Sequence, residues 1–538
     1  NLNNFEPEDL VFGGTMYTDD IFAPFQDTLR LREDASLGFI HQTPVEGMTI
    51  YAGKGRFFNN IDLSNAGLKG DGKLKYLTSV TTSPEFKFFP DSTLAQSTAF
   101  DITRLDGAIG YPDTHGLTHP IRWLPRKDVF FAYKGETPFN MYEHQTDFIG
   151  DYTLQPVGLT GNGVVDMGKA NMTSHFFQFD SYKWLADTMA VNFYVPGQAI
   201  QAFTSGFLSG RLNYETRQGD FWRINASIYG KLSAIRYDTH ADRVIWPMDL
   251  DQLRFQTKTQ QDAVAQGTFR PVNMLDQDTI PVGSIFYSVA QYEDSLYFMS
   301  RYATYNLRMP RLDADSVPYV LVADAVSYPH EGKLAIENEK RMLPLKEARL
   351  VANVFDRYHH IYDASLTLAG RFKYAGKGFI DYIDERDSVT QLKLDSIYIT
   401  PQHEGNATQA YGYATADQNF KLSPRFHYEG KITVDANEPY YLFQGGAQPL
   451  YDCPDMRSTL VNFMSRLRPD SLMIPINFPQ RDMNNKWLAS GVVISNDSTH
   501  LYHSFVSPRF RVLDRDLVRP EGFMTFDRKR GRFVMADS

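Results

Sequence analysis

The sequence predicts an all-β protein of stacked antiparallel sheets, of sandwich, jelly-roll or β-helix type, solenoid-like where units continue into one another. Apolar side chains alternate with polar ones, as at Leu366 and Leu368 or at Phe426 and Tyr428, and this is the period of a strand. Turn residues such as those of Gly161–Gly163 interrupt the runs about every ten residues, which is typical of short strands. Phe, Tyr and Trp make up 14 % of the chain, and aromatic side chains favour pleated, half-buried surfaces.

Helical spacing is found in two segments only. In residues 454–467 the apolar side chains follow the helical period at Met456, Leu460, Phe463 and Met464. Residues 257–266 form a weaker candidate. We therefore predict few helices, with a short one near the end of the chain.

A segment of roughly fifty residues is duplicated without a gap. Gly67–Gly72 (GLKGDG) returns 91 residues later as Gly158–Gly163 (GLTGNG). The same offset pairs Tyr51 with Tyr142, Leu63 with Leu154, Phe86 with Phe177 and Phe88 with Phe179. Matched positions are mostly apolar or Gly, which set packing and turns. We predict that the apolar positions of 48–102 and 139–193 face equivalent cores.

The length of 538 residues exceeds the size at which a single hydrophobic core keeps growing. We predict four units. Residues 1–135 hold the first repeat copy, 136–275 the second, 276–440 a solenoid-like unit, and 441–538 a C-terminal β unit with a short helix. Because no Pro-rich or Ser-rich linker separates them, we expect close contact between units.

Charge and cysteine usage exclude several classes of protein. The net charge of −10 argues against a general nucleic-acid binder, which needs a basic footprint. We interpret the basic run at 528–532 as a solvated hairpin. The single cysteine, Cys453, allows neither an internal disulfide nor a CxxC motif. No stretch approaches the ~18 apolar residues of a membrane helix, so no transmembrane helix is predicted.

Motifs of the common enzyme classes are absent from the sequence. No Gly-Lys pair is followed by Ser or Thr, no GxGxxG opens a helix, and no GxSxG occurs. Cys453 could in principle act as a thiol nucleophile, but lone cysteines are usually buried and inert. We predict no enzyme, no cofactor, and no catalytic, cofactor-binding or metal-binding residue.

Two groups of histidines are candidate metal ligands. Asp113, His115 and His119 lie within seven residues, but Gly116 and Pro120 favour a hydrogen-bonded loop over a helical zinc site. His359 and His360 are adjacent in a strand-like run, so their rings point to opposite faces. We expect one of these two to pack among tyrosines and the other to be solvated.

Acidic and aromatic residues leave a carbohydrate function open. A solvated turn is favoured over calcium binding for the acidic groups Asp313, Asp315, Asp381, Asp384, Glu385 and Asp387, because EF-hand spacing is missing. With 64 Asp and Glu, no glycosidase pair can be selected. The five Trp residues suit either sugar platforms or core packing: Trp123, Trp184, Trp222, Trp246 and Trp487.

Several segments resemble parts of a very large exported protein family of Bacteroidota. They are Val322–Ala325, Tyr328–Ile336, Tyr358–Tyr362, Leu422–Lys431, Gly491–Ser498 with Leu501–Tyr502, and the GLxGxG units. This family is conserved and has no established activity. The resemblance implies a middle section of a longer protein, in keeping with a chain that begins without Met or a leader. The strand spacing is also similar to periplasmic stacked-strand bridges that shield lipid acyl chains, an analogy of fold alone.

The function predicted from these observations is a non-catalytic cell-envelope scaffold, assembly partner or lipid-shielding conduit. The alternative is a carbohydrate-binding or carbohydrate-active protein. We expect export to the periplasm or outer membrane, with other cell-envelope proteins, and lipid or glycan, as partners. A conduit needs a continuous apolar groove, a glycan site needs carboxylates near Trp or Tyr, and a scaffold shows a broad exposed patch at a unit edge.

Overall fold

The computed structural model describes residues 10–225, 229–257, 283–337, 341–402, 405–453, 456–497 and 499–537. Within these ranges the chain forms 46 β-strands and no α-helix. Four single-turn 3-10 helices also occur there: Pro125–Lys127, Gln291–Glu293, His330–Gly332 and Ala416–Gln418. The all-β prediction is confirmed. A search of the described residues finds no helix with the length and hydropathy needed to span a bilayer.

The strands of the first half of the chain are β1 (Val11–Met16), β2 (Phe25–Leu31), β3 (Leu37–Gln42), β4 (Met48–Ile50), β5 (Gly55–Ser64), β6 (Gly67–Tyr76), β7 (Ser79–Phe88), β8 (Thr93–Gln96), β9 (Ala99–Ile102), β10 (Thr114–Gly116), β11 (Pro120–Leu124), β12 (Val129–Ala132), β13 (Phe139–Met141), β14 (Thr146–Gln155), β15 (Gly158–Asp166), β16 (Ala170–Phe179), β17 (Lys183–Tyr194), β18 (Gln201–Asn213), β19 (Gln218–Arg223), β20 (Gly230–Leu232), β21 (Tyr237–Thr239), β22 (Arg243–Pro247) and β23 (Gln252–Gln256).

The strands of the second half are β24 (Ser284–Ser288), β25 (Tyr297–Ser300), β26 (Tyr302–Asn306), β27 (Arg311–Asp315), β28 (Val320–Val322), β29 (Ala325–Tyr328), β30 (Leu334–Glu337), β31 (Arg341–Met342), β32 (Leu345–Ala352), β33 (His359–Gly370), β34 (Lys373–Ile383), β35 (Val389–Gln402), β36 (Gly405–Ala414), β37 (Lys421–Ser423), β38 (Phe426–Asp435), β39 (Tyr441–Pro449), β40 (Val461–Leu467), β41 (Ile474–Ile476), β42 (Leu488–Ile494), β43 (Leu501–Pro508), β44 (Arg515–Val518), β45 (Gly522–Asp527) and β46 (Arg532–Ala536).

Contacts divide the described residues into two compact units. The first unit takes those within 1–234, 238–268 and 304–311, and the second takes those within 235–237, 269–303 and 312–538. The first unit therefore contains both repeat copies. The predicted boundary near residue 135 falls inside it, and β12 pairs with β14 across that point, as at Phe130 and Leu154. Residue 275 lies outside the described residues.

The duplicated segment forms the same strands twice in the first unit. In the second copy β14, β15, β16 and β17 form an antiparallel meander. In the first copy β5, β6 and β7 occupy the equivalent places, and β7 pairs with both β8 and β9. These two short strands lie where the second copy has the single long strand β17. The predicted repeat is therefore a repeat of strands as well as of residues.

Equivalent side chains of the two copies also make equivalent contacts. The hydroxyl of Tyr51 lies 2.8 Å and 3.0 Å from the carbonyl oxygens of Phe89 and Ser92. Tyr142 makes the same two contacts one repeat later, at 3.1 and 3.0 Å. Phe57 lies edge-on to Phe88 with centroids 5.1 Å apart, and the equivalent pair of the second copy has 5.2 Å. The prediction of equivalent cores is confirmed.

The second unit contains three further sheets. Ten strands follow one another in the order β28, β29, β32, β33, β34, β35, β36, β38, β39 and β40, with β37 beside β38. Two three-stranded sheets have the orders β41–β45–β46 and β43–β42–β44. The predicted boundary near 440 lies between β38 and β39, which pair along their lengths, as at Ile432 and Phe443. Strand pairing thus continues across that boundary too.

The prediction of a helix over 454–467 is wrong, because the end of this segment is β40. Val461, Phe463 and Leu467 are buried, while Asn462 and Met464 between them are exposed. This is a period of two, which a strand requires, and β40 pairs with β39 throughout. The weaker candidate at 257–266 lies almost wholly outside the described residues.

A buried histidine makes the stability of the first unit depend on pH. The ring of His119 is fully buried, stacks on Phe139 at 3.6 Å, and places Nδ1 3.1 Å from the carbonyl oxygen of Tyr133. Burial lowers the pKa of His119, because the charged form loses its hydration. The unfolded chain therefore binds the proton at a higher pH than the folded chain.

We expect the full stability of the first unit above the unfolded pKa of His119, about 6.5, and a loss of stability as the pH falls below that value. This one group can change the free energy of unfolding by at most about 1.4 kcal/mol per pH unit. Denaturant unfolding of wild type and His119→Phe between neutral and mildly acidic pH measures the effect. The variant should show the shallower pH dependence. His144→Asn, at an exposed histidine, is the control, and an equal change of slope there would contradict the prediction.

Candidate functional site

The histidines and the aspartate weighed as zinc ligands are held apart. His115 lies on β10 with Nδ1 2.5 Å from Asp101 of the paired strand β9. His119 is stacked inside the core, and the carboxylate of Asp113 accepts the backbone N–H of Glu143 at 2.7 Å. In the described part of the chain no three His, Cys, Asp or Glu side chains cluster as a metal site would require. Each of these residues has a structural contact instead.

The adjacent histidines of β33 separate as predicted. His359 is buried, with Nε2 2.8 Å from the carbonyl oxygen of Glu438 and the ring 5.5 Å from that of Tyr441. His360 is exposed on the opposite face of the strand. Burial lowers the pKa of His359. The expectation of one packed and one solvated imidazole is confirmed.

Three members of the acidic group at 381–387 lie in the turn between β34 and β35, namely Asp384, Glu385 and Asp387, whereas Asp381 lies on β34. The carboxylate of Asp384 accepts the backbone N–H groups of Arg386 and Ser388 at 2.8 and 3.0 Å, which is the bonding of an Asx turn. Glu385 pairs with Arg528 at 2.8 Å. The predicted turn is confirmed for Asp384, Glu385 and Asp387, and Arg528 lies in the hairpin turn between β45 and β46 that was predicted for the basic run. The turn predicted for Asp313 and Asp315 is wrong, because both lie exposed on the strand β27, where they alternate with buried residues.

Most of the tryptophans belong to the core, and one does not. Trp123, Trp184 and Trp246 are buried, as core packing requires, and Trp222 is half-buried. Trp487 is 38 % exposed and lies just before β42. Cys453 is a free, half-buried thiol. Trp487 is therefore the tryptophan of this set best placed to meet a ligand.

The sheet β43–β42–β44 carries a broad exposed apolar surface at its edge. β44 is the last strand of this sheet and has β42 as its neighbour. Six apolar side chains, on β44, on the opposite edge strand β43 and in the segment that joins them, are each more than half exposed. We define the C-terminal edge surface by them: Leu501, Phe510, Val512, Leu513, Leu517 and Val518.

Polar contacts hold this surface in place. The carboxylate of Asp514 is buried and accepts the hydroxyl of Tyr502 at 2.8 Å and the backbone N–H of Arg511 at 3.0 Å. Burial alone would raise the pKa of Asp514, but these hydrogen bonds and one from the N–H of Asn496 lower it on balance. The ring of Phe510 lies 4.5 Å from that of Tyr502. These hydrogen bonds use the polar groups within the turn, and its apolar side chains remain exposed at the surface.

The pairing of Arg509 with Asp516 anchors β44 to that turn. Their side chains lie 2.5 Å apart and are 16 % and 11 % exposed. An ion pair so shielded is costly to break, because removal of one partner leaves a desolvated charge. In contrast, Arg515 on the same strand is exposed, and no described carboxylate lies within ion-pair distance of it. The edge surface thus combines apolar side chains with an unpaired cation.

A shallow depression borders the same sheet. It has an open volume of about 270 Å³ and is lined by side chains that include Asn477, Phe478, Asp516, Arg519 and Glu521. The ring of Phe478 is 47 % exposed and lies 6.3 Å from that of Trp487, tilted by 32°. Aromatic and charged side chains therefore meet at an accessible point of the second unit.

Neither feature is evident as a unit from the sequence. A signal for the edge surface was present at Leu517-Val518, an adjacent apolar pair in a strand region. Neighbouring strand residues face opposite sides, so one member of this pair must lie away from a one-sided core. The depression had only a partial signal. Trp487 beside it is one of the five tryptophans that suit a sugar platform, but Phe478 and Arg519 come from separate segments of the chain.

No protein-family model matches this chain, and no curated protein matches it either.

Proposed function

We propose that this chain is a non-catalytic scaffold or assembly partner of the cell envelope, which binds an extended strand of another protein at the C-terminal edge surface. One observation carries the proposal: β44 is an edge strand with exposed apolar side chains on and beside it. An edge strand presents unpaired N–H and C=O groups, and proteins usually blunt it. Addition of a strand would pair those groups and cover part of the apolar surface on and beside β44.

Charge supports the choice of occupant. Arg515 has no carboxylate partner among the described residues, and Arg511, 63 % exposed, reaches Asp497 at 3.3 Å. A strand that alternates apolar and acidic side chains would cover the apolar positions and neutralise these arginines. We therefore propose a partner segment of that composition, contributed by a different protein.

The closely packed aromatic core of the first unit favours a scaffold over a lipid conduit. The inward-facing aromatic side chains of the first unit, such as Phe57, Phe148 and Trp184, are fully buried. They contact one another, as Trp184 does Phe177 at 5.4 Å between centroids. Side chains that lined an open acyl-chain groove would be accessible to a ligand instead.

Export to the cell envelope, as a member of the exported Bacteroidota family, is part of the proposal and rests on the sequence resemblance. Fractionation of cells that express the protein from its own gene tests the location. Recovery with the periplasm or outer membrane would support it, and recovery with the cytosol would exclude it.

We expect a synthetic strand of alternating Val and Glu to protect the backbone amides of β44 from hydrogen exchange. Val512→Asp should weaken binding of this peptide by about tenfold, or ~1.4 kcal/mol. The variant loses part of one apolar side chain that binding would bury, and it adds a negative charge that repels the Glu residues of the peptide. Hydrogen exchange and a binding titration on the whole chain measure both quantities.

The control is Val157→Asp, at a residue of the first unit that is 73 % exposed and outside the edge surface. A peptide of alternating Val and Lys should bind more weakly than the acidic one. The proposal fails if β44 gains no protection, if Val157→Asp weakens binding equally, or if the protein covers β44 by self-association in sedimentation experiments.

A further inference from the structure

We infer that the depression beside β42 and β44 is a binding site for an oligosaccharide that carries a carboxylate, such as a hexuronic acid. Sugar rings offer an apolar C–H face and a rim of hydroxyls, so their sites combine aromatic surface with hydrogen-bonding side chains. The juxtaposition of Phe478 and Trp487 with Arg481, Arg519, Asn477 and Glu521 supplies both. This inference does not depend on the edge surface or its partner.

An arginine guanidinium stacks on each of the two aromatic rings. The guanidinium of Arg519 lies 3.8 Å from the ring centroid of Phe478, and that of Arg481 lies 4.2 Å from the ring of Trp487. Stacked guanidinium groups fix the rings and still have N–H groups in their own plane. The rings remain 47 % and 38 % exposed, so apolar surface is left for a ligand.

The polar groups suit hydroxyls and one carboxylate. Arg519 pairs with one oxygen of Glu521 at 2.8 Å, so the second oxygen can accept a hydroxyl. Arg481 donates to the backbone and side-chain oxygens of Asn485 at 3.1 and 2.8 Å. No described carboxylate lies within ion-pair distance of Arg481. This arginine is therefore the cation that a carboxylate of the ligand would pair with.

The shape and the polar groups of the site select among ligands. The space of about 270 Å³ in the depression includes open solvent, so a ligand would lie across the surface, as a short stretch of a glycan would. Single-stranded nucleic acid also stacks on aromatic side chains. However, the carboxylate of Glu521 at the rim is placed to accept sugar hydroxyls, and the backbone of an oligothymidylate has no free hydroxyls along its length.

The experiment titrates the whole chain with three probes: a tetramer of galacturonic acid, a neutral glucose tetramer, and an oligothymidylate. Tryptophan fluorescence reports binding, because Trp487 is the exposed tryptophan at the site, and calorimetry confirms it. We expect saturable binding of the uronate at millimolar concentrations or below. The neutral tetramer should bind at least tenfold more weakly, and the oligothymidylate should not bind.

Two variants test the aromatic part and the charged part of the site separately. Trp487→Ala should abolish calorimetric binding of the uronate, and Arg481→Gln should reduce uronate affinity about tenfold without changing the affinity for the neutral sugar. Arg468→Gln is the matched control, since Arg468 also lies over an aromatic ring, that of Tyr440 at 5.9 Å, and pairs with Asp470. Unchanged thermal unfolding must accompany each variant.

The proposal is overturned by any of three results. They are no saturable uronate binding by wild type, tighter binding of oligothymidylate than of uronate, and an Arg468→Gln effect as large as that of Arg481→Gln. Equal affinity for the neutral and acidic tetramers would refute the assignment of a carboxylate to Arg481.

Discussion

Gly72→Ala should destabilise the first unit by about 2 to 6 kcal/mol, as the sum of a strained backbone at ~1–3 kcal/mol and an overpacked contact at ~1–3 kcal/mol. Gly72 adopts φ +128°, where L side chains are rarely found. A Cβ atom there would lie 2.2 Å from the carbonyl oxygen of Phe58 and 2.5 Å from the Cβ of Asn59. Neither atom can move aside easily, because β5 pairs with β6 at this point.

The repeat supplies a second site for the same experiment. Gly163 occupies the equivalent position, with φ +158° and a Cβ position 2.3 Å from the carbonyl oxygen of Ile149. In both copies the pairing of the glycine strand with the next one shifts register beside this glycine. Gly163→Ala should therefore be destabilising to a similar degree.

Gly67→Ala is the control for the conformational part of this cost. Gly67 also has positive φ, at +99°, but nothing lies within 4 Å of its Cβ position. We expect it to cost about 1 kcal/mol, because strain acts there without overlap. Denaturant unfolding of the three variants measures the difference. Equal costs at Gly67 and Gly72 would show that the close approach of β5 has no energetic role.

These glycines help to explain why much of the fold could be predicted from the sequence. The GLxGxG segments set the turn and the bulge, and the alternating Phe and Tyr residues set which face of each strand is inside. Both signals are local, since a turn and a period of two are read within a few residues. The equivalence of Tyr51 and Tyr142, down to their carbonyl partners, followed from a constant offset alone.

The helix prediction failed because local spacing was ambiguous. Leu460, Phe463 and Met464 fit a helical face, but Val461, Phe463 and Leu467 also fit a strand. The neighbouring strand β39 decides between them, since its unpaired edge accepts β40 along seven residue pairs. Such long-range pairing overrides a short periodicity and is invisible in the segment itself.

The candidate sites were less accessible for a related reason. The depression is lined by Phe478 and Arg519, which are distant in sequence, and Trp487 lies beside Phe478. Phe478 and Arg519 meet because β41 to β45 fold into two small sheets. Among the five tryptophans, the sequence does not distinguish exposed Trp487 from buried Trp184. Exposure depends on which strand covers which, and residue type carries little of that information.

Phe177→Ala should cost about 3 to 5 kcal/mol, the usual range for truncating a buried aromatic side chain, whereas Phe176→Ala in the same strand should cost less than about 0.5 kcal/mol. Phe177 is fully buried, and its ring lies 5.4 Å from that of Trp184 and 5.7 Å from that of Phe179. Phe176 is 52 % exposed on the other face of β16. The two variants delete the same atoms one residue apart.

This pair tests the fold and the scaffold proposal together. A slip of β16 by one residue would exchange the two faces and reverse the order of the two costs in denaturant unfolding. If both substitutions were costly in the isolated chain, the outer face of β16 would be covered by protein. The sheet would then carry a second packed layer there, and its outer side chains would not be free to meet a partner. A large cost for Phe177→Ala alone is what a one-sided core requires, because only the inner face is then filled by aromatic contacts.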